Sequence, residues 1–237
     1  MELDLRVRHD GGFVVLHDDL LEGETTGKGP IADLPLNELK AFTFKDGRPL
    51  IFTEDLAAML QNANPAALLQ FDMKDDLAAI GSNGVTHLAA LFADAPTPVI
   101  VSGDSLELIV EIKQRLPKLL RGIDPTNKLA DIHRDEGPTS VEIELLADLR
   151  GPTEPHTVYL AWQLVLGAAR EGLDLIGLCH SEGKLVDAWT FTLKDPVRGF
   201  DDAEWRDFSA LLALEPDQIT TDEAPATEAA YLQRTSR

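Results

Sequence analysis

The chain has 237 residues, 41 of them acidic and 21 basic, for a formal net charge of −20. With 44% hydrophobic and 26% charged residues it can build an ordinary core, which excludes wholesale disorder. No apolar run nears the ~20 residues of a membrane-spanning helix, no basic-then-apolar leader pattern opens the chain, and Cys179 as the one cysteine excludes an internal disulfide framework or a multi-cysteine zinc site.

Residues 1–7 alternate polar and apolar with period two and predict a strand. His9-Asp10-Gly11-Gly12 is a turn signal. Phe13-Val14-Val15-Leu16 is a short β run ending at His17-Asp18, followed by a Gly/Thr-rich loop over 23–30. Leu34, Leu36 and Leu39 suggest a short helix, and Thr53 is placed to cap a helix with Leu56, Met59 and Leu60 inward. A strand over 67–74 precedes a helical stripe of Val85, Leu88, Ala89 and Phe92. A strand over 98–103 leads to a helix beginning at Asp104, then to a strand over 118–124. Strict alternation of strand and helix is the mark of parallel βα units.

Residues 125–156 hold four prolines and many charges, and read as an elaborated loop with one helical piece near 140–149. A strand resumes at 157–160. Residues 173–178 could be a strand, but the clear strand at 185–192 follows too closely for a parallel crossover. The prediction is therefore a helix over roughly 167–182, closed by Gly183. Trp205, Phe208 and Leu212 make the next stripe, and 218–222 is a last strand. The count is seven parallel strands in one domain, with no repeat or linker.

Glu2 and Asp4 leave the same face of their strand. Two carboxylates there repel unless a cation lies between them. The plainer reading is an exposed face of Glu2, Asp4 and Arg6 with leucines inward, and in isolation it is favoured. Asp72 ends a second strand beside Phe71 and Met73, with Lys74 two residues on. His17 closes an apolar run, where a lone histidine is usually structural. Trp189 in Val186-Asp187-Ala188-Trp189-Thr190 is, alone, more often core than site.

Taken in order, these pieces resemble the glycerophosphodiester phosphodiesterase family. The resemblance rests on Glu2-Leu3-Asp4, Asp10-Gly11, Val14-Val15-Leu16-His17-Asp18 and Thr25-Thr26-Gly27-Lys28-Gly29. It continues with Asp72-Met73-Lys74, Trp189-Thr190 and Thr220-Thr221-Asp222-Glu223-Ala224-Pro225. It implies an α/β fold of the TIM (β/α)8 type and hydrolysis of glycerophosphodiesters to glycerol 3-phosphate and an alcohol. It also implies a divalent cation, Mg²⁺ or Ca²⁺. Carried over, Glu2, Asp4 and Asp72 match metal ligands, the third usually a glutamate. His17 matches one of two catalytic histidines. Lys74 and Trp189 match residues on the phosphate and glycerol side.

The family's opening His-Arg-Gly strand and its Pro-Glu-Asn are absent, and Phe191 and Thr192 follow where an asparagine is common. The resemblance therefore implies an incomplete barrel without the first strand and helix, gapped or pinched between 1–7 and 218–222, and a weakly stable, nearly inactive chain. The alternative is a catalytically impaired relative that binds a phosphorylated small molecule or a cation. A two-carboxylate glycosidase, with its carboxyls about 5–9.5 Å apart, leaves His17 and Lys74 without a role.

The partner expected is a small-molecule phosphodiester. Nucleic acid is excluded because the acidic surface repels it. There is no integral membrane segment, and a cytoplasmic location is expected. The alcohol moiety and the oligomeric state are not legible.

Overall fold

The alternation in residues 1–7 produces β1 (Glu2–Val7), with Leu5 and Val7 buried on one face and Glu2, Asp4 and Arg6 on the other. The structure, a computed structural model, describes residues 1–236. The chain falls into two compact units, Met1–Ile123 and the remainder from Asp124 onward.

In the first unit β1 turns into β2 (Phe13–Val15), which returns antiparallel with Leu5 opposite Val15 and Val7 opposite Phe13. Two short helices, α1 (Leu36–Leu39) and α2 (Thr53–Leu60), precede β3 (Leu69–Met73). Then come α3 (Leu77–Phe92), β4 (Val99–Ser102), α4 (Leu106–Arg115) and β5 (Leu120–Ile123). The strands lie in the order β2-β1-β3-β4-β5, and the β1–β3, β3–β4 and β4–β5 pairs are parallel. Phe71 packs edge-on to Phe92, with ring centroids 4.9 Å apart. The excursion between β2 and β3 has a cluster of its own, with Leu16, Leu21, Ile31, Leu39, Leu50 and Phe52 buried.

The second unit opens with α5 (Thr126–Glu136) and α6 (Pro138–Leu149), followed by β6 (Thr157–Ala161), α7 (Trp162–Arg170) and α8 (Leu175–Ser181). It ends with β7 (Leu185–Trp189), α9 (Asp202–Leu212), β8 (Gln218–Ile219) and α10 (Ala224–Thr235). β7 pairs parallel with β6 and with β8. Phe191 packs on Trp162 and Phe208, with centroids 4.9 and 5.0 Å away. Among the described residues no helix is long and apolar enough to cross a membrane.

The seven expected parallel strands are all present, and β2 adds an antiparallel one. Several local expectations need correction. In the stretch 125–156 the helical piece expected near 140–149 is α6, but a second helix, α5, precedes it. Pro125 and Pro138 stand at helix starts rather than in a loop, and Gly137 at φ 86° makes the turn between. The helix expected over 167–182 is two, α7 and α8, broken where Gly172 takes φ 88°. Thr53 is not the cap of α2. Its hydroxyl is used by His87 Nε2 at 2.8 Å, and Asp55 instead accepts the Phe52 N–H at 3.0 Å.

The β1–β2 turn is fixed by a buried cation. Arg8 makes a fork to Glu54, with Nη2 2.8 Å from Oε1 and Nη1 3.0 Å from Oε2, and its Nε donates to Asp10 at 3.0 Å. Gly12 lies against it, and a Cβ there would fall 1.8 Å from Nη2. Gly12→Ala is therefore expected to push Arg8 off Glu54 and destabilise the protein by about 2–4 kcal/mol, the order for breaking a buried pair. A urea midpoint unchanged from wild type would refute this role for the turn.

Candidate active site

The parallel register sets Glu2 opposite Gln70 and Asp4 opposite Asp72. Side chains alternate, so Glu2, Asp4 and Arg6 share a face with Gln70, Asp72 and Lys74. The carboxylates of Glu2, Asp4 and Asp72 each bring one oxygen within 4.8 Å of the other two. Asp72 is shorter than a glutamate, but standing directly across from Asp4 it has the reach. Its Oδ1 also accepts the Ser102 hydroxyl at 3.3 Å, and Gln70 Nε2 donates to that hydroxyl at 3.1 Å.

Lys74 is the counter-charge. Its Nζ lies 2.6 Å from Asp72 Oδ2 and 3.0 Å from Asp4 Oδ1. Burial opposes the ammonium, but the charges and hydrogen bonds of Asp72 and Asp4 outweigh burial and hold it above its ordinary pKa. One cation does not balance three acids. Glu2 is pushed up to about 8, by burial first, then by the charges of Asp4 and Asp72 and a hydrogen bond with Asp4, against the pull of Lys74.

This donor set fits a divalent cation. All its donors are hard oxygens, which select Mg²⁺ or Ca²⁺ over softer metals. Ca²⁺ takes oxygen ligands at about 2.3–2.6 Å and Mg²⁺ at about 2.0–2.1 Å, so carboxylate oxygens within 4.8 Å of one another lie near the spacing that such an ion would need.

The raised Glu2 has a consequence for pH. The folded protein holds a proton there that the unfolded chain releases above its ordinary value of 4.5. The stabilisation from that proton is full below 4.5 and is lost as pH rises through about 8. A divalent cation bound there would take the proton's place. The rise in Tm on adding Mg²⁺ or Ca²⁺ is therefore expected to be larger at pH 9 than at pH 6, and binding at pH 7 should release a proton measurable in buffers of different ionisation enthalpy. An equal rise at both pH values would remove Glu2 from the ligand set.

His17 lies just beyond β2, after the buried Leu16. Its ring is exposed, with Nδ1 3.1 Å from Asp18 Oδ1. A carboxylate only accepts, so Nδ1 carries the hydrogen and Nε2 is left for other partners. The backbone is clamped: the N–H groups of His17 and Asp18 donate to Glu24 Oε1 at 2.8 and 3.0 Å. Arg6 Nε donates to the His17 carbonyl at 2.8 Å, and Arg6 Nη1 donates to the Lys74 carbonyl at 2.9 Å. Beside Lys74 a cavity of about 570 Å³ opens past the ends of β3 and β4, with Asp76, Asp104 and Glu107 in its wall.

Thus Glu2, Asp4, Asp72 and Lys74 meet in one cluster, and His17 is tied to Lys74 through the backbone. Trp189 belongs to the second unit. It ends β7, half-buried, with a buried Nε1 that has no hydrogen-bond partner among the described residues. Two residues earlier on the same face Asp187 is fully buried, accepting from Thr220 Oγ1 at 2.7 Å and from Gln218 Nε2. Burial raises its pKa, partly offset by those bonds. Burial also pushes the Cys179 thiol up to about 12, so it has no nucleophilic part to play. The residues that the motifs missed are Arg6, Asp75, Ser102 and Glu24. Only Arg6 had a signal, its period-two placement after Asp4.

Comparison with known proteins gives the family and the fold. The profile of the glycerophosphoryl diester phosphodiesterase family matches residues 1–225. An Oleispira antarctica phosphodiesterase, solved in complex with the product sn-glycerol-3-phosphate, superposes with a TM-score of 0.66 at 16% identity, covering 97% of this chain and 83% of that one. A Thermotoga maritima glycerophosphodiester phosphodiesterase gives 0.62 at 20% identity, over 100% of this chain and 84% of that one. One from Parabacteroides distasonis gives 0.67 at 15%, over 98% and 84%. No curated protein sequence matches. The fold is α/β of the TIM-barrel type that these structures share. With its carboxylate cluster and its profile match across nearly the whole length, the chain belongs to the glycerophosphoryl diester phosphodiesterase family, a family of phosphoric diester hydrolases.

Proposed function

We propose that the chain hydrolyses glycerophosphodiesters to glycerol 3-phosphate and an alcohol, with a divalent cation held by Glu2, Asp4 and Asp72. The observation that supports this most is the convergence of those three carboxylates with Lys74, where the register brings the first half of β1 against the C-terminal end of β3. Bound there, Mg²⁺ or Ca²⁺ would neutralise the non-bridging phosphate oxygens. Lys74 contributes a second positive charge on the same face and draws the anionic substrate against a net charge of −20. His17 moves the proton that the departing alkoxide needs, through the Nε2 that Asp18 leaves open. Trp189 has a substrate-side role on the family resemblance alone.

The test is ³¹P NMR of this chain with glycerophosphocholine, glycerophosphoethanolamine and glycerophosphoglycerol, with and without EDTA. Glycerol 3-phosphate should appear slowly, stop with EDTA and return with added Mg²⁺ or Ca²⁺. Cation binding without any hydrolysis would overturn the enzyme reading in favour of a binding protein. Hydrolysis unaffected by EDTA would overturn the cation.

A further inference from the structure

We propose that Arg6 is a positioning residue that fixes His17 and Lys74 relative to one another for the reaction proposed above, on which this assignment rests. Both residues lie just past the last paired position of a strand. β2 ends at Val15 and β3 at Met73, so neither His17 nor Lys74 is held on both sides by a ladder. Each has its N–H satisfied, His17 by Glu24 Oε1 at 2.8 Å and Lys74 by the Leu5 carbonyl at 3.1 Å. The carbonyl of each is taken by one guanidinium. Arg6 Nε donates to His17 at 2.8 Å and Nη1 to Lys74 at 2.9 Å. The same Nη1 pairs with Asp75 Oδ1 at 3.0 Å, and Asp75 Oδ2 accepts the Val7 N–H at 2.7 Å, which returns the link to β1.

The chemistry requires arginine. The donors of a guanidinium diverge in a rigid plane, so one side chain can reach carbonyls on two different chain segments, whereas a lysine ammonium is a point charge that satisfies one at a time. At 18% exposure the guanidinium is largely shielded from water, so losing it leaves the part-buried Lys74 carbonyl and Asp75 Oδ1 without that donor and releases the exposed His17 carbonyl to solvent. Arg6 also stands two residues beyond Asp4 on the same strand face. One strand thus carries two of the acids and the group that sets the proton donor and the phosphate cation. A displacement of about 1 Å at such groups can cost ~10²-fold in rate.

The experiment compares Arg6→Gln and Arg6→Lys with the wild type in two readouts. In hydrolysis, Arg6→Gln should lose about 10²-fold in kcat, with KM and cation affinity kept within about threefold. Arg6→Lys should recover part of that loss. In amide exchange, His17 and Asp18 should exchange about tenfold faster in Arg6→Gln while Leu69–Met73 keep their protection. If the wild type hydrolyses no diester, the proposed reaction fails by itself and the exchange result judges the tether alone. Unchanged exchange at His17 overturns the assignment. So does wild-type kcat in Arg6→Gln, or a kcat loss matched by equal losses in cation binding and Tm, which would make Arg6 merely structural. Should Arg6→Gln fail to fold, Arg6→Lys carries both readouts.

Discussion

Replacing His17 by glutamine is expected to lower turnover by ~10²–10⁴-fold, the usual range for general acid–base catalysis. An unactivated alkoxide is a poor leaving group, and the Nε2 left open by the Nδ1 contact to Asp18 is suited to protonate it. Glutamine keeps the polarity and approximate length of the side chain but cannot transfer a proton near neutral pH. The cation site should survive, because the backbone bonds of residue 17 to Arg6 and Glu24 do not involve the ring. Isothermal titration should return nearly the wild-type affinity for Mg²⁺ or Ca²⁺. A substrate with a p-nitrophenolate leaving group needs less protonation and should lose much less rate. Turnover equal to wild type on the natural diester would leave His17 as a strand-end cap.

The second large effect is expected at Lys74. Lys74→Met removes the counter-ion from Asp4 and Asp72 and leaves three acids facing one another. Breaking a fully buried pair costs about 3–5 kcal/mol. The Lys74 side chain is a quarter exposed, at 25%, so solvent screening reduces the expected loss. A loss of about 1–3 kcal/mol corresponds to a Tm lower by some 2–4 °C per kcal/mol for a chain of this size. Saturating divalent cation should restore most of that loss, since it supplies the missing positive charge. It should not restore KM for the diester, which loses a phosphate contact. An unchanged Tm in EDTA would show that the cluster needs no ammonium.

The fold was readable in the sequence where periodicity was strong and local. The β1 alternation, the strand ending at Lys74 and the Val85–Phe92 stripe each became the expected element. The helical piece expected near 140–149 is α6, but α5 was missed, because Pro125 before a helix and a proline in a loop look alike until the following turn is known. The Glu171–Asp174 break was hidden because the apolar stripe continues in phase on either side of Gly172. The candidate site divides in the same way. Glu2 and Asp4 share a strand, so their common face follows from spacing. The Asp72 contact requires the β1–β3 register, which no local pattern states. The tie from Arg6 to the carbonyls of His17 and Lys74 was invisible, because backbone acceptors carry no residue identity.

The separate cluster between β2 and β3 divides the first unit energetically. Leu16, Leu21, Ile31, Leu39, Leu50 and Phe52 pack with Val14 of β2 in a cluster distinct from the packing of Phe71 on Phe92. Segments with their own small core open in sub-global steps at lower free energy than the central strands. His17 rides on the excursion, whereas Glu2, Asp4 and Asp72 ride on the central strands. The proposed proton donor and the acid cluster therefore sit on parts of the chain expected to open at different free energies. Mild denaturant would silence the enzyme while its affinity for the cation persists, so inactivation and unfolding would be distinct events.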